Sequence, residues 1–287
     1  MRWRNGRESD NVEDRRGMSI PRGAKIGGLS GLGLVAVVLI GMFLGIDPTV
    51  LLQGGLEMET PSVSVERSGR PGINDDQRKF VAVVLAETED VWYETFQKRG
   101  RTYQAPTLVL FSGAVESACG MAGSAVGPFY CPSDHKVYLD LSFFDDLRTR
   151  FGASGDFAQA YVIAHEVGHH VQTLLGISKK VQELQARVNS SERNKLSVRM
   201  ELQADCLAGV WAHQADKSRQ ILEAGDIEEG LNAASAIGDD RIQRKTQGYV
   251  VPDAFTHGSA AQRARWFKLG FEQGNLQACD TFGADRL

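Results

Sequence analysis

Six histidines are spread over the 287 residues, and two of them, His165 and His169, stand four apart with Glu166 directly after the first. The surrounding run, Tyr161–Gln172, reads YVIAHEVGHHVQ, so the spacing is H-E-x-x-H. On a helix, residues four apart lie one turn above each other on the same face, so both imidazoles can reach one ion. A carboxylate beside that ion can take the proton of a water whose pKa the ion has lowered to about 7. The predicted chemistry is therefore metal-assisted hydrolysis, with Zn2+ on His165 and His169 and with Glu166 as general base. The bland alternative is a charged helix face. Against it, Val162, Ala164, Val167 and Val171 make the segment apolar. A buried Glu between two histidines needs a partner, and a divalent cation supplies one. His170 falls about 100° around the helix from His169, so it is expected behind the ligands or on the surface rather than among them.

A catalytic zinc site needs a third protein ligand. The metzincin extension would put Gly at 172 and His at 175, where this chain has Gln172 and Leu175. The gluzincin solution uses a Glu on a later helix, often followed four residues on by Asp, and Glu201-Leu-Gln-Ala-Asp205 has that spacing. Glu201, Asp205, Ala208 and Ala212 form one helical stripe among apolar neighbours. Glu201 is thus predicted to complete the coordination, and Asp205 to accept the free ring N–H of a ligand His. Solvated helix acids would be the plain alternative; Glu183 and Glu192 are poorer candidates because their neighbours are polar. His257, just before a helical run with Trp266 and Phe267, is either an oxyanion stabiliser or an ordinary residue at a helix start.

These residues need elements to hold them. The H-E-x-x-H segment has a helix start signal at Ser154–Asp156 and a stop at Gly176. Apolar residues Phe80, Val84, Trp92 and Phe96 recur at helical spacing, which predicts an amphipathic helix over 75–98. TLVLFSG (Thr107–Gly113) and HKVYLDLSFF (His135–Phe144) read as strands, and the chain after them is mostly helical. The expected class is α+β, zincin-like: a mostly helical domain with a small sheet, preceded by one N-terminal transmembrane helix.

That anchor is expected at residues 26–46, which carry no charge between Lys25 and Asp47 and match the ~30 Å hydrocarbon core of a bilayer. Seven Arg and Lys precede it (Arg2, Arg4, Arg7, Arg15, Arg16, Arg22 and Lys25), and none follows until Arg67. The positive-inside rule then gives residues 1–25 as a cytoplasmic tail, 47–74 as a turn-rich linker and 75–287 as an exported domain. A cleaved signal fits less well, because the charged lead and apolar core are long and no A-x-A site follows. All four cysteines lie in the exported part, which predicts disulfides; the short 119–131 loop favours that pairing and leaves Cys206 for Cys279. Net charge is −4, so no phosphate-binding footprint exists and nucleic acid is excluded as a partner.

Taken together, these motifs resemble the bacterial "putative neutral zinc metallopeptidase" family, single-pass inner-membrane proteins with an exported zincin domain. The resemblance runs from end to end, through RESDNVEDRRG (Arg7–Gly17), GPFYCPSDHKVYLDLSFF (Gly127–Phe144), HEVGHH (His165–His170), ELQADC (Glu201–Cys206) and FTHGSAAQR (Phe255–Arg263). It implies zinc on His165 and His169, Glu201 as third ligand, and a peptide or protein substrate in the periplasm. The His257-x5-Arg263 pattern is also similar to one at the active site of membrane zinc proteases of the prenyl-protease and heat-shock type, which favours His257 as oxyanion stabiliser. A substrate peptide is expected to add as a strand along His135–Leu141. The competing classes are an envelope scaffold with a structural zinc site and a zinc hydrolase of non-peptide amides.

Overall fold

In the computed structural model, residues 1–17 and 76–287 are described. The expected anchor (26–46) and linker (47–74) lie outside them. Among the described residues no helix is long and apolar enough to cross a membrane.

The architecture is α+β, mostly helical with a small sheet, as the patterning predicts. A four-stranded sheet has the order β1 (Val12–Asp14), β2 (Thr107–Phe111), β6 (Lys136–Asp140), β5 (Phe129–Cys131). The first three strands run parallel and β5 is antiparallel to β6. A hairpin of β3 (Ala114–Ser117) and β4 (Gly120–Gly123) follows β2 in the chain. The helices are α1 (Asp76–Gln97), α2 (Ser142–Thr149), α3 (Asp156–Leu174), α4 (Ile177–Gln185), α5 (Ser190–Arg219), α6 (Asp226–Ala236), α7 (Asp239–Gln247) and α8 (Ala260–Gln273).

Two expectations need correction. The strand read over His135–Phe144 stops at Asp140: its carboxylate accepts the N–H of Ser142 and turns the chain into α2. The strand β6 also has β2 on one side and β5 on the other, so His135–Leu141 is no free edge for a peptide. The outer strand on that side is β5. In addition, residues 1–17, expected as part of a separate tail, are packed on the domain through β1.

The apolar core forms where α3 is surrounded by α1, α5, α6 and α8, with Phe157, Tyr161 and Val167 of α3 fully buried. Helix α3 begins after Gly155, whose φ of 112° suits glycine; the Glu229 carboxylate of α6 accepts the N–H of Phe157 at 3.1 Å. It ends as predicted before Gly176, at φ 78°. Both predicted disulfides are present, Cys119–Cys131 and Cys206–Cys279. The second ties the C-terminal segment to α5.

Helices α5 and α8 meet almost backbone to backbone. A Cβ on Gly270 would lie 1.9 Å from the carbonyl oxygen of Cys206, and one on Gly209 2.1 Å from that of Phe267. Only glycine fits such an approach. Gly270→Ala should therefore cost about 3 kcal/mol by forcing the helices apart, read as a lowered denaturation midpoint. A midpoint equal to wild type would contradict this packing.

Candidate zinc centre

Along α3, Tyr161, His165 and His169 share one face, as the i, i+4 spacing requires. Helix α5 crosses above that face at Gly168, where a Cβ would stand 3.0 Å from the carbonyl oxygen and 3.2 Å from the Cα of Ala204. This close crossing brings Glu201 over both histidines. His165 Nε2 is 3.1 Å from Glu201 Oε2, and His169 Nε2 is 3.4 Å from Glu201 Oε1.

The donor set fits zinc. One atom from each of His165, His169 and Glu201 lies within 4.8 Å of the others. Ligands at zinc distances of ~2.0–2.1 Å in a tetrahedron stand about 3.3 Å apart, close to the His–Glu spacings seen here. Two imidazoles and one carboxylate are also a donor set zinc takes in catalytic sites. Glu166, 8 % exposed, follows His165 on α3, and its charge helps to keep His169 protonated.

Both imidazoles are oriented from behind. His165 Nδ1–H donates to Asp205 Oδ1 at 2.8 Å, as predicted from the Glu-x3-Asp spacing. Asp205 is fully buried and held by Arg263, whose Nε and Nη2 donate to its two oxygens at 2.8 and 2.9 Å. The Tyr161 hydroxyl adds a fourth bond to Asp205, at 2.5 Å. Burial pushes the Asp205 carboxyl up, but Arg263 and then His165 outweigh it and hold it at about 2. His169 Nδ1–H donates to Gln172 Oε1 at 2.9 Å, and Gln172 Nε2 is fixed on Met200 O and Gln203 Oε1. These bonds leave both Nε2 atoms facing Glu201.

Sequence reasoning used Gln172 only to exclude a metzincin and missed that it orients a ligand. Its place at i+3 from His169 on the same helix was the available signal. Tyr161, one turn before His165, was missed in the same way. His170 is not a ligand: it is fully buried on the other side, its Nε2–H donating to Gln104 O at 2.6 Å and its Nδ1 accepting from the Tyr130 hydroxyl. Burial drops it to about 4, so it is neutral.

His257 precedes α8, and its Nδ1 lies 3.1 Å from Asp239 Oδ1. The other oxygen of Asp239 accepts three consecutive backbone N–H groups, from Thr256, His257 and Gly258, at 2.7, 2.7 and 3.0 Å. Asp239, at the start of α7, thus fixes the whole turn, and no sequence pattern singled it out. The His257 side chain is 53 % exposed, and its bond to Asp239, with the charges of Glu201 and Asp239, raises its pKa. Asp156, Asp226 and Glu229 form a second acidic group at the far end of α3, where the amino nitrogen of Met1 sits 2.6 Å from Asp156 and 3.3 Å from Asp226.

A mostly helical domain with a His-His-Glu centre defines the class, and comparison with known proteins defines the family. The chain belongs to the family described as "Putative neutral zinc metallopeptidase", whose sequence model matches residues 1–282. It is 53 % identical over 291 residues to the uncharacterized protein YpfJ of Escherichia coli (strain K12), covering 99 % of both chains. It is 42 % identical over 264 residues to the uncharacterized protein Rv2575 of Mycobacterium tuberculosis (strain H37Rv), covering 86 % of both. No solved structure matches.

Without metal, Glu201 holds a proton on the histidines. Burial lowers the His169 pKa, but Glu201 overcomes this and raises it from 6.5 to about 9. A raised folded-state pKa stabilises the fold fully below 6.5, and the gain is lost as pH rises through 9. Protein stripped with a chelator should therefore lose up to about 3 kcal/mol between pH 6.5 and 9. The zinc-loaded form should not, since the ion replaces the proton and binds better as pH rises. Parallel pH profiles for both forms would contradict the assignment.

Proposed function

We propose that the chain is a zinc-dependent peptidase of zincin-like fold that hydrolyses peptide bonds outside the cytoplasm. The observation that carries this reading is the convergence of His165 Nε2, His169 Nε2 and both Glu201 oxygens, with Glu166 next to them. His165, His169 and Glu201 would hold the ion, which supplies Lewis-acid activation of water and of the scissile carbonyl. A purely structural site would close its fourth position with another protein ligand, and the described residues offer three.

The chain's own groups perform the rest. Glu166 accepts the proton of the attacking water and later passes it to the leaving amine. His257 stabilises the oxyanion of the tetrahedral adduct, and Asp239 positions it by holding Nδ1 and the turn. Asp205, backed by Arg263, keeps His165 in the tautomer that leaves Nε2 to the ion. The substrate extends along β5, the outer antiparallel strand packed on α3 through Tyr130 and His170.

Two disulfides favour an oxidising, extracytoplasmic compartment. The uncharged residues 26–46 favour a membrane anchor for the chain.

Hydrolysis of denatured casein, with none of purified cell wall, is expected; the reverse would favour a non-peptide amide as substrate. Glu166→Gln should keep its zinc and lose at least about 100-fold in kcat, the scale of a general base. Full turnover by that variant would end the assignment of Glu166. His257→Ala should lower kcat by about 100-fold, as loss of an oxyanion donor does, with little change in KM. Asp239→Ala should follow it in kcat, and unchanged kcat in both variants would remove His257 from the reaction.

A further inference from the structure

The described residues before the apolar segment are not a free tail. Strand β1 pairs with β2 in parallel, Val12 against Leu108, Glu13 against Val109 and Asp14 against Leu110. The ladder is extended by Leu108 N–H to Asn11 O and Arg15 N–H to Leu110 O, both 2.8 Å. Ahead of the strand, Ser9 N–H donates to Ala82 O at 3.0 Å, and Trp3 packs edge-on against Phe80, both partners on α1.

The receiving surface is built for this segment. Glu89 on α1 is 3 % exposed, and its carboxylate is held by Arg7 Nη2 at 3.0 Å, Ser9 Oγ at 2.5 Å and Asn11 Nδ2 at 2.8 Å. All three donors come from the N-terminal segment. Without it, the Glu89 carboxylate would lose these three partners, and β2 would become an open edge. Lys136 of β6 reaches across to Glu13 at 2.8 Å.

A strand cannot hydrogen-bond to its neighbour through the ~30 Å hydrocarbon core of a bilayer. We propose that residues 1–17 and residues 76–287 lie on the same side of the membrane, docked as one unit. A single crossing at 26–46, with the tail inside and the domain outside, is then ruled out, however well the charge pattern fits it. The N-terminal strand is part of the domain that carries the zinc centre.

This inference is independent of the hydrolytic reading, and its test needs no substrate. The four native cysteines are paired in disulfides and do not take up maleimide. Full-length protein in bacterial cells is given one new cysteine at an exposed position, Asp10→Cys in the segment or Arg187→Cys in the domain. A membrane-impermeant maleimide is applied to intact spheroplasts and again after permeabilisation. Equal labelling of both positions in intact spheroplasts is the expected result. Protection of both until permeabilisation would equally uphold the shared side while moving the domain to the cytoplasm, against the location proposed above. Labelling of Arg187→Cys in intact spheroplasts, with loss of label at Asp10→Cys until permeabilisation, would overturn the inference.

Discussion

The centre depends on how closely α5 can approach α3. At Gly168 the backbone of Ala204 comes within 3.2 Å of where a side chain would begin, so no larger residue permits the same crossing without a shift. Ala204 lies between Glu201 and Asp205, and Gly168 lies between Glu166 and His169. The contact is thus in the middle of the site, and its geometry sets where the third ligand stands over the first two. The second close crossing, of α5 on α8 at Gly209 and Gly270, carries Arg263 to Asp205. Two glycine-mediated contacts hold the three helices whose side chains make and orient the centre.

Charge inside this crossing is balanced rather than avoided. Arg263 is 2 % exposed and Asp205 fully buried, an arrangement whose desolvation cost is repaid only with good geometry and saturated hydrogen bonding. Both conditions are met: each Asp205 oxygen has at least one donor, from Arg263, Tyr161 or His165. The gain is orientation more than stability, because the network fixes one imidazole tautomer. The neutral amides of Gln172 and Gln203 do the same for His169, anchored in turn on Cys279 O beside the second disulfide.

Much of the centre was legible because helical spacing converts directly to geometry. His165, His169 and the Glu201–Asp205 pair needed only two helices and a crossing, and a residue four places on must fall on the same face. Strand boundaries were less legible. Ser142–Phe144 carries aromatic, strand-like composition, but the Asp140 carboxylate captures the Ser142 N–H and starts a helix. The substrate edge was misplaced because strand order in a sheet is a tertiary fact: nothing local in HKVYLDL says that β2 and β5 flank it. The docked N-terminal segment was hidden by its own charge. Arg7 and Arg15 read as cytoplasmic markers, whereas their partners, Glu89, Asp90 and Glu13, appear only in the folded chain. Asp239 was illegible for the same reason, since its three backbone donors lie 17 to 19 residues away.

Whether His165, His169 and Glu201 form one zinc site is read from the zinc stoichiometry of the purified protein beside His165→Ala and Glu201→Ala. About one zinc per chain is expected in wild type, and its loss in both variants, because each removes one ligand of a three-ligand site. Full zinc in Glu201→Ala would place the third ligand elsewhere, and folded wild-type protein that binds none would contradict the account.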